Sequence, residues 1–364
     1  MRVESTGRPF ACTHGAGCPR RSVLTAMLGG LSAGTLAPAR ADAPDDAEWT
    51  SFKTRFVKDD GRVIDNANGG VSHSEGQGWG LFFAVAFDDR ATFDRIHEWT
   101  RQALRRPNDS LHAWRFVPTD RPSVRDLNNA TDGDIFIATA LSRAGRQWAQ
   151  PAHLHAAAAI TRDILSLLVR PTGSRIVLLP AVQGFETKAA IVVNPSYYVF
   201  PMIAELARLV PSAQWDRVQN DGRALIELGR FGKWELPSDW LRINKTGAAL
   251  SPAPGWPPRF GFDAIRVPLW YTWQGLPIEA PQRAMDRYWS AFPDDTFPAW
   301  VNLETDQTAP NRAPLGMVAV AQLTRAAMGL RAKPDLPAVA DAAMYYDAAL
   351  ILLSRLAWQE RHPA

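Results

Sequence analysis

The sequence contains 364 residues, with 40 Lys or Arg against 37 Asp or Glu, so its formal net charge is only +3. A chain of this length fits one large domain or two. The basic excess is small, and its bearing on nucleic-acid binding depends on whether the first 41 residues are retained.

Residues 1–41 have the pattern of an export signal. The adjacent arginines Arg20 and Arg21 precede an apolar stretch rich in Gly, Ala and Leu, and residues 39–41 read Ala-Arg-Ala, which is typical of a cleavage site. The arginine pair favours twin-arginine export, with an ordinary secretory signal as the alternative. Because glycines interrupt the apolar stretch, we expect no membrane anchor. We therefore predict a periplasmic or secreted protein in which residues 42–364 form a single domain.

Cleavage after residue 41 changes the character of the chain. It removes both cysteines, Cys12 and Cys18, so the mature protein has no disulfide and no thiol chemistry. It also removes five arginines and one glutamate, a net of +4, which leaves about −1 of the +3 carried by the whole chain. Nucleic-acid binding is therefore not expected of the mature protein.

Helical periodicity dominates residues 42–364, where apolar residues recur at spacings of three and four. The predicted helices cover residues 46–57, 75–87, 92–104, 134–149, 153–169, 196–210, 216–230, 263–273, 281–291, 314–330 and 338–360. Two short β-branched segments, 175–180 and 189–193, predict a small surface β-hairpin. Helices of similar length without a low-complexity linker favour a single all-α domain. A ring of helical hairpins, a bundle and a solenoid all satisfy this pattern.

Three irregular stretches interrupt the helices, at residues 105–131, 231–262 and 293–313. Long loops inside a compact domain are usually functional. Each of the three contains tryptophan, and all 14 tryptophans of the chain lie after residue 41. Because tryptophan presents a flat apolar face and one hydrogen-bond donor, we interpret these loops as the lining of a cleft for a glycan.

Glu75 lies in the most unusual segment of the chain, residues 74–80, which read Ser-Glu-Gly-Gln-Gly-Trp-Gly. Ser74 and Gln77 fit a capping box, which predicts that a helix begins here. Three glycines in one turn indicate that something bulky approaches the backbone. A carboxylate at a fixed helix end is typical of a catalytic group. Complementing the helix N-terminus explains Glu75 equally well at this point.

Further carboxylates stand at predicted helix starts. Asp132 and Asp134 stand at a helix start, and no calcium-loop pattern follows them. Direct substrate contact is favoured for Asp132, whereas capping and substrate contact explain Asp134 equally well. Asp263 and Arg266 lie three residues apart on one helix face. They form either a plain ion pair or a carboxylate kept ionised by an arginine, which is what a general base for water activation needs.

Two tyrosines follow a clear helix start. Asn194 and Pro195 read as an N-cap followed by a proline in the first helical position. Tyr197 is then placed to orient a water with its hydroxyl, whereas core packing suits Tyr198.

Several kinds of chemistry have no motif in the sequence. It contains no G-x-S-x-G, H-E-x-x-H or Walker motif, so we expect no metal and no cofactor. The candidates that remain are carboxylates at helix starts and aromatic side chains in long loops. Two carboxylates flanking a cleaved bond are the pattern of glycoside hydrolysis.

Four motifs, taken in order, resemble those of glycoside hydrolase family 8. They are Ser-Glu-Gly-Gln-Gly-Trp-Gly at 74–80, Ala-Thr-Asp-Gly-Asp at 130–134, Asn-Pro-Ser-Tyr at 194–197 and Phe-Asp-Ala-Ile-Arg at 262–266. The likeness is strongest to the periplasmic endoglucanases of bacterial cellulose-synthesis operons. It extends over nearly all of residues 42–364.

The resemblance implies an (α/α)6 barrel of six inner and six outer helices that hydrolyses internal β-1,4-glucan bonds with inversion. Carried over to this sequence, Glu75 is the general acid and Asp263 the general base. Asp132 hydrogen-bonds the distorted sugar, and Tyr197 holds the attacking water. Inversion requires the two catalytic carboxyl groups to lie about 6.5–9.5 Å apart. We expect partial burial and Asp132 to raise the pKa of Glu75, and Arg266 to keep Asp263 ionised.

The resemblance also implies the substrate contacts and the partners. The predicted substrate-binding residues are Trp114, Arg266, Trp79, Asn194 and Gln77, and Trp79 stands where the close relatives are expected to have tyrosine. We expect a monomer that acts on cellulose chains and has a functional link to a cellulose synthase complex. The alternatives are a hydrolase of chitosan, xylan or mixed-linkage glucan, and a mainly glycan-binding component of the cellulose secretion apparatus.

Overall fold

The computed structural model describes residues 46–246 and 249–363, and the predicted export signal lies outside them. Helices are the main regular structure of the described chain, as the periodicity predicts. The α-helices are α1 (Asp46–Phe56), α2 (Ser74–Ala86), α3 (Arg90–Ala103), α4 (Thr131–Gln147), α5 (Pro151–Asp163), α6 (Phe200–Leu209), α7 (Ala213–Leu228), α8 (Arg266–Gln274), α9 (Ala280–Ser290), α10 (Leu315–Ala327) and α11 (Tyr345–Arg361). In this part of the chain, no helix combines the length and the apolar character needed to cross a membrane.

The helices are buried in two different ways. Helices α2, α4, α8, α10 and α11 have buried residues on nearly every side. Helices α3, α5, α7 and α9 bury one face and expose the other. A helix that is apolar all round belongs in the middle of a domain, and an amphipathic helix belongs on its outside. This alternation along the chain indicates two concentric layers of helices.

The inner layer closes into a ring. Helix α2 packs on α4, α4 on α6, α6 on α8, α8 on α10, and α10 on α11. Tyr345, the first residue of α11, stacks on Trp79 of α2 with ring centroids 6.0 Å apart, which joins the last inner helix to the first. The remaining helices cover this ring from outside, and a one-turn 3₁₀ helix, Val339–Asp341, packs on α1. The arrangement is the (α/α)6 barrel that the family resemblance implies.

Short strands occupy the connections between the helices. They are β1 (Ser72–His73), β2 (Arg115–Phe116), β3 (Val169–Thr172), β4 (Arg175–Leu178), β5 (Ala190–Val193), β6 (Arg230–Phe231), β7 (Leu236–Pro237), β8 (Leu241–Asn244), β9 (Leu250–Pro252), β10 (Arg259–Phe260) and β11 (Val301–Asn302). The predicted pairing of 175–180 with 189–193 is wrong. Strand β4 pairs with β3 instead, and β5 pairs with β8. A two-residue turn joins β3 to β4, and Gly173 at φ +59° supplies the left-handed backbone that such a turn needs.

Several predicted helices also differ from the structure at their ends, and the largest differences are in α11 and α5. Residues 338–344 are not part of α11, because the N–H of Tyr345 donates to Asn66 Oδ1 at 2.9 Å instead of continuing a helix backwards. After α5 the chain forms a π-helical turn, Ile164–Leu168, and passes directly into β3.

Candidate active site

The N-terminus of α2 carries Glu75, which is its second residue. The predicted capping box is wrong, because Gln77 does not return to the helix start. Its Oε1 accepts from the N–H of Val63 at 2.6 Å, and its Nε2 donates to Thr100 Oγ1 at 2.8 Å. Since Gln77 is fully buried, its predicted contact with substrate is also wrong. It ties α2 to the segments packed around it.

The glycines beside Glu75 allow neighbouring helices to approach the backbone of α2. A Cβ at Gly133 of α4 would lie 2.7 Å from the backbone nitrogen of Glu75, and a Cβ at Gly76 would lie 2.8 Å from the hydroxyl of Tyr345. Gly78 packs just as closely against α4. The bulky group that the sequence indicates is therefore the barrel itself, and Glu75 stands on backbone that is fixed by these contacts.

Trp79 is fully buried in the ring of inner helices. Its indole contacts Tyr345 and Phe136, with ring centroids 6.0 Å and 6.2 Å away. The prediction that Trp79 stacks on substrate is wrong, because a ring enclosed on every side offers no face to a sugar. Trp79 fills space between α2, α4 and α11.

Arg266 joins three carboxylates at the end of the barrel. Its Nη1 donates to Glu75 and lies 3.5 Å from Asp132 Oδ2. Its Nη2 donates to Asp263 Oδ1 at 2.8 Å. Asp132 is enclosed, with 3% of its side chain exposed, whereas Glu75 and Asp263 are 20% and 26% exposed. A substrate can therefore reach the two carboxylates that the sequence predicts to be catalytic.

Ser196 contacts Arg266, and Asn194 lies beside Asp263. Arg266 Nη2 donates to Ser196 Oγ at 2.8 Å, and that hydroxyl donates to Asn194 Oδ1 at 2.7 Å. Asn194 is the N-cap of the 3₁₀ helix Pro195–Tyr197, which confirms the predicted cap. The helix predicted from 196 is wrong at this end, because α6 begins at Phe200. The side chain of Asn194 faces Asp263 and acts to lower the pKa of that carboxyl. Because Asn194 is fully buried, its predicted contact with substrate is wrong. Ser196 is not among the residues predicted from sequence, although it lies inside the Asn-Pro-Ser-Tyr motif.

Glu75 and Asp132 are close enough to share one proton. Burial and the negative charge of Glu75 raise the pKa of Asp132 well above its usual value. Burial also acts to raise the pKa of Glu75, but Arg266 and the hydrogen bond from Asp132 outweigh burial and lower it. The expected raised pKa of Glu75 is therefore wrong for the free site, where the raised pKa is that of Asp132.

Asp263 and Tyr197 lie on the other side of Arg266. Burial raises the pKa of Asp263, while Arg266 and Asn194 act in the opposite direction without cancelling burial. The arginine thus favours the ionised form, as expected, although the net shift is upward. Burial, together with the charges of Asp132 and Asp263, raises the pKa of the Tyr197 hydroxyl well above its usual value. This hydroxyl keeps its proton and remains able to donate it in a hydrogen bond.

Asp134 faces away from this cluster and is fully buried. Its Oδ1 lies 2.9 Å from both the backbone nitrogen and Nδ1 of His112, and its Oδ2 accepts from Asn129 Nδ2 at 3.0 Å. Both partners belong to the long loop before α4. Asp134 therefore holds this loop against the helix and is not available to a substrate.

Trp114 is partly exposed and lies next to the start of α2. Its carbonyl oxygen accepts from the N–H of Ser74 at 3.0 Å. Its indole donates to Asp126 at 2.8 Å and stacks on His73 at an interplanar angle of 10°. Trp114 therefore remains our candidate for an aromatic platform beside Glu75.

A second group of aromatic side chains lies beyond Tyr197. Trp240 and Trp256 are stacked with ring centroids 4.9 Å apart, and Phe185 stacks on Trp240 at 5.6 Å. Trp240 also meets Tyr197 edge-on at 6.1 Å. All of these side chains are partly exposed. Aromatic rings thus flank the carboxylate cluster on both the Glu75 side and the Asp263 side.

The positive charge beside the three carboxylates belongs to an arginine side chain. Within residues 46–246 and 249–363, no three His, Cys, Asp or Glu side chains are grouped so as to hold a metal ion. The guanidinium of Arg266 instead contacts all three carboxylates.

The sequence profile described as "Glycosyl hydrolases family 8" matches residues 19–360. The match covers most of the chain, which therefore belongs to glycosyl hydrolase family 8. This is an inverting family, so the protein is an inverting glycoside hydrolase.

Relatives of known name cover most of the chain. A "Probable endoglucanase" from Novacetimonas hansenii is 42% identical over 342 residues, which are 93% of this chain and 98% of that protein. An "Endoglucanase" from Cellulomonas uda is 41% identical over 280 residues, 76% of each chain. The solved structure of an endo-β-1,4-glucanase from Acetobacter xylinum superimposes with a TM-score of 0.83 at 42% identity, over 87% of this chain and 98% of that chain. The shared fold confirms the (α/α)6 barrel.

Proposed function

We propose that this protein is an endo-β-1,4-glucanase in which Glu75 is the general acid and Asp263 the general base. One observation carries the proposal. Two partly exposed carboxylates, one on α2 and one in the turn before α8, are held by the same buried guanidinium of Arg266. Inverting hydrolysis requires two such carboxyl groups on opposite sides of the glycosidic bond.

The acid step uses the proton that Glu75 and Asp132 share. Glu75 has the more exposed carboxyl of the two, so it is the group that reaches the glycosidic oxygen. We propose that the proton passes from Asp132 to Glu75 as this oxygen approaches, and from Glu75 to the leaving sugar. Asp132 is then ionised, so it accepts a hydrogen bond from the distorted sugar and stabilises the developing positive charge.

The base step takes place at the turn before α8. The ionised Asp263 removes a proton from a water molecule while that water attacks the anomeric carbon, which inverts the configuration. Tyr197 donates a hydrogen bond to the water. The water needs space, so the distance of about 6.5–9.5 Å between the carboxyl groups remains our expectation for the complex with substrate.

Cellulose is the substrate we propose. The relatives that match most of this chain are named endoglucanases, and one of them is named an endo-β-1,4-glucanase. Aromatic rings on both sides of the carboxylates suit a linear glucan, because the faces of its sugar rings are apolar. Internal cleavage requires such contacts on both sides of the bond.

The biological setting is also a proposal. The arginine pair and the apolar stretch in residues 1–41 support export to the periplasm or beyond. The resemblance to endoglucanases of cellulose-synthesis operons supports a monomer that trims nascent cellulose alongside the synthase complex.

Hydrolysis of carboxymethylcellulose by the purified protein tests the proposed function, with viscosity and reducing ends followed together. We expect viscosity to fall well before many reducing ends appear, because internal cuts shorten chains fastest. Nuclear magnetic resonance of cellopentaose digests is expected to show the α-anomer first, since inversion converts the β-linkage.

Glu75→Gln is the control, because it keeps the size of the side chain and removes the acid. Cleavage of chitosan or xylan but not of β-glucan would contradict the proposed substrate and keep the mechanism. Binding of cellopentaose without cleavage of any of these glycans would instead indicate a glycan-binding protein.

A further inference from the structure

Asp239 is a buried carboxylate that the proposed reaction does not use. It lies in the long connection between α7 and α8, and 2% of the residue is exposed. Its Oδ1 accepts from three backbone N–H groups, those of Gly261 at 2.9 Å, Asp263 at 3.2 Å and Ala264 at 2.9 Å. All three belong to the turn that carries the proposed base.

Asp239 supplies the acceptor for three backbone N–H groups that lie just before α8. The first N–H groups of α8 itself find backbone carbonyl acceptors within the turn, with N···O distances of 3.0 Å. The N–H groups of Gly261, Asp263 and Ala264 instead donate to a side chain more than twenty positions earlier in the chain. A buried N–H needs an acceptor, so the shape of this turn depends on Asp239.

Arg259 holds Asp239 in place. Its Nε donates to Asp239 Oδ2 at 3.0 Å, and the N–H of Asp239 donates to the carbonyl oxygen of Arg259 at 2.8 Å. Gly261 allows this close approach, because a Cβ there would lie only 3.1 Å from Asp239 Oδ2 and 3.1 Å from the Cβ of Trp300. The carboxylate is thus fixed at both oxygens.

We infer that Asp239 is a positioning residue that directs the Asp263 carboxylate toward the attacking water. The inference rests on the proposed role of Asp263 as the base. One hydrogen bond satisfies a buried oxygen, yet Oδ1 accepts three, and one of the donors is the backbone N–H of Asp263 itself. A fixed N–H holds the backbone of Asp263 in place. It therefore also holds the point from which the side chain extends toward the water.

Asp239→Ala is the first test, with kcat and KM measured separately on cellopentaose. A displacement of about 1 Å at a reacting group costs roughly 10²-fold in rate, so we expect kcat to fall by about that factor with little change in KM. Asp239→Asn retains an Oδ1 acceptor for the three N–H groups and is expected to recover most of the lost kcat.

Asp89→Ala is the matched control for loss of a structural carboxylate. Asp89 accepts from the N–H of Thr92, from Trp49 Nε1 and from Lys53 Nζ, at 3.0, 3.0 and 2.6 Å. It lies beyond the far end of α2, about 20 Å from Glu75 at 1.5 Å per residue. We expect this change to lower Tm and to leave kcat as in the wild type.

Three outcomes separate the possibilities. Wild-type kcat in Asp239→Ala, with a lower Tm only, would overturn the inference and leave the proposed function intact. Equal losses of kcat in Asp239→Asn and Asp239→Ala would also contradict it. If Asp239→Ala does not fold, Gly261→Ala disturbs the same contact from the other side and is expected to lower kcat more than KM. No cleavage by the wild type would refute the proposed function itself.

Discussion

The two proposed catalytic carboxylates are held in different ways. Glu75 stands on an inner helix whose backbone is in direct contact with α4 at Gly133 and with the start of α11 at Gly76. Asp263 stands in a turn whose position depends on side-chain hydrogen bonds, three of them to Asp239. The acid is therefore placed by the packing of the barrel, and the base by residues of a loop and of the 3₁₀ helix beside it.

This difference has a consequence for the enzyme. Closely packed helices tolerate little change at their contacts, whereas loops accept substitution more readily. The position of Glu75 is thus coupled to the fold as a whole. The position of Asp263 can change with the loop that holds it, so substitutions there are expected to alter turnover more than stability.

The largest expected effects come from removing the carboxylates themselves. General acid and general base catalysis each contribute about 10²–10⁴-fold, so Glu75→Gln and Asp263→Asn are both expected to lower kcat on cellopentaose by that order. A dinitrophenyl cellotrioside distinguishes the two roles, because its leaving group departs without a proton. Glu75→Gln is expected to recover much of its activity on this substrate.

Asp263→Asn provides the contrast for that experiment. It still lacks the base that activates water, so the better leaving group is not expected to restore its turnover. Recovery by Asp263→Asn and not by Glu75→Gln would exchange the two assignments. Recovery by neither would show that Glu75 does not act as the acid.

Replacing Asp132 by asparagine is expected to change the pH dependence of kcat/KM. In the wild type the shared proton is retained up to the raised pKa of Asp132, and above that pH the site has no acid. In Asp132→Asn the proton must reside on Glu75, and the guanidinium of Arg266 acts to lower the pKa of that carboxyl. The descending limb of the profile is therefore expected to move to lower pH.

The ascending limb serves as the internal control for this measurement. It reports the ionisation of Asp263, whose pKa lies above the usual value because of burial. Asp132→Asn leaves that residue in place, so the ascending limb is expected to move less than the descending limb. A profile that loses height without any shift would contradict the shared proton.

Much of the surroundings of the proposed acid, Glu75, was predictable from sequence, because the residues that indicate this site are contiguous. Glu75 and its glycines occupy one turn, and the helical periodicity of the chain indicates the barrel. The location of the proton was not predictable, since it depends on the distances of Glu75 from Asp132 and Arg266 in the folded protein. The burial of Trp79 depends likewise on α4 and α11, which are far from it in the sequence.

The base side shows the limit of reasoning from sequence more clearly. The resemblance assigns Asp263, but Asp239, which accepts from three N–H groups of its turn, lies in a loop without periodicity or motif. The pairing of β5 with β8 was not predictable from sequence either, because the two strands lie in separate connections between helices. Short local segments do not specify which distant segment they meet.

An intermediate effect is expected from Gly133→Ala, which tests the packing of the acid side. In a helix that is free of contacts, alanine is more favourable than glycine by about 1 kcal/mol. Here the added Cβ would lie 2.4 Å from Ser74 Oγ and 2.7 Å from the backbone nitrogen of Glu75. We expect the free energy of unfolding in urea to fall by about 1–3 kcal/mol, as in other overpacked cores.

Asn194→Ala gives the corresponding measurement on the base side. It removes the acceptor of Ser196 and a polar neighbour of Asp263, but it adds no atoms to the barrel. We expect Asn194→Ala to lower kcat more than Gly133→Ala does. Its loss of stability is expected to be smaller, because water can enter the space that the side chain leaves. Stabilisation by Gly133→Ala would contradict the close contact of α2 with α4.

The smallest expected effect concerns Trp114, the proposed platform beside Glu75. Its indole is already held by Asp126 and His73, so a sugar that stacks on it meets a preformed surface. Loss of such a face removes about 1.4 kcal/mol, which corresponds to a tenfold rise in Kd. Trp114→Ala is therefore expected to weaken cellopentaose binding to the Glu75→Gln protein about tenfold by calorimetry, while Trp114→Phe retains a ring and loses less. Because the indole contacts a sugar face and transfers no proton itself, kcat of the single variants is expected to change less than KM. A fall in kcat at constant KM would mean that Trp114 positions the start of α2 and does not bind the glucan.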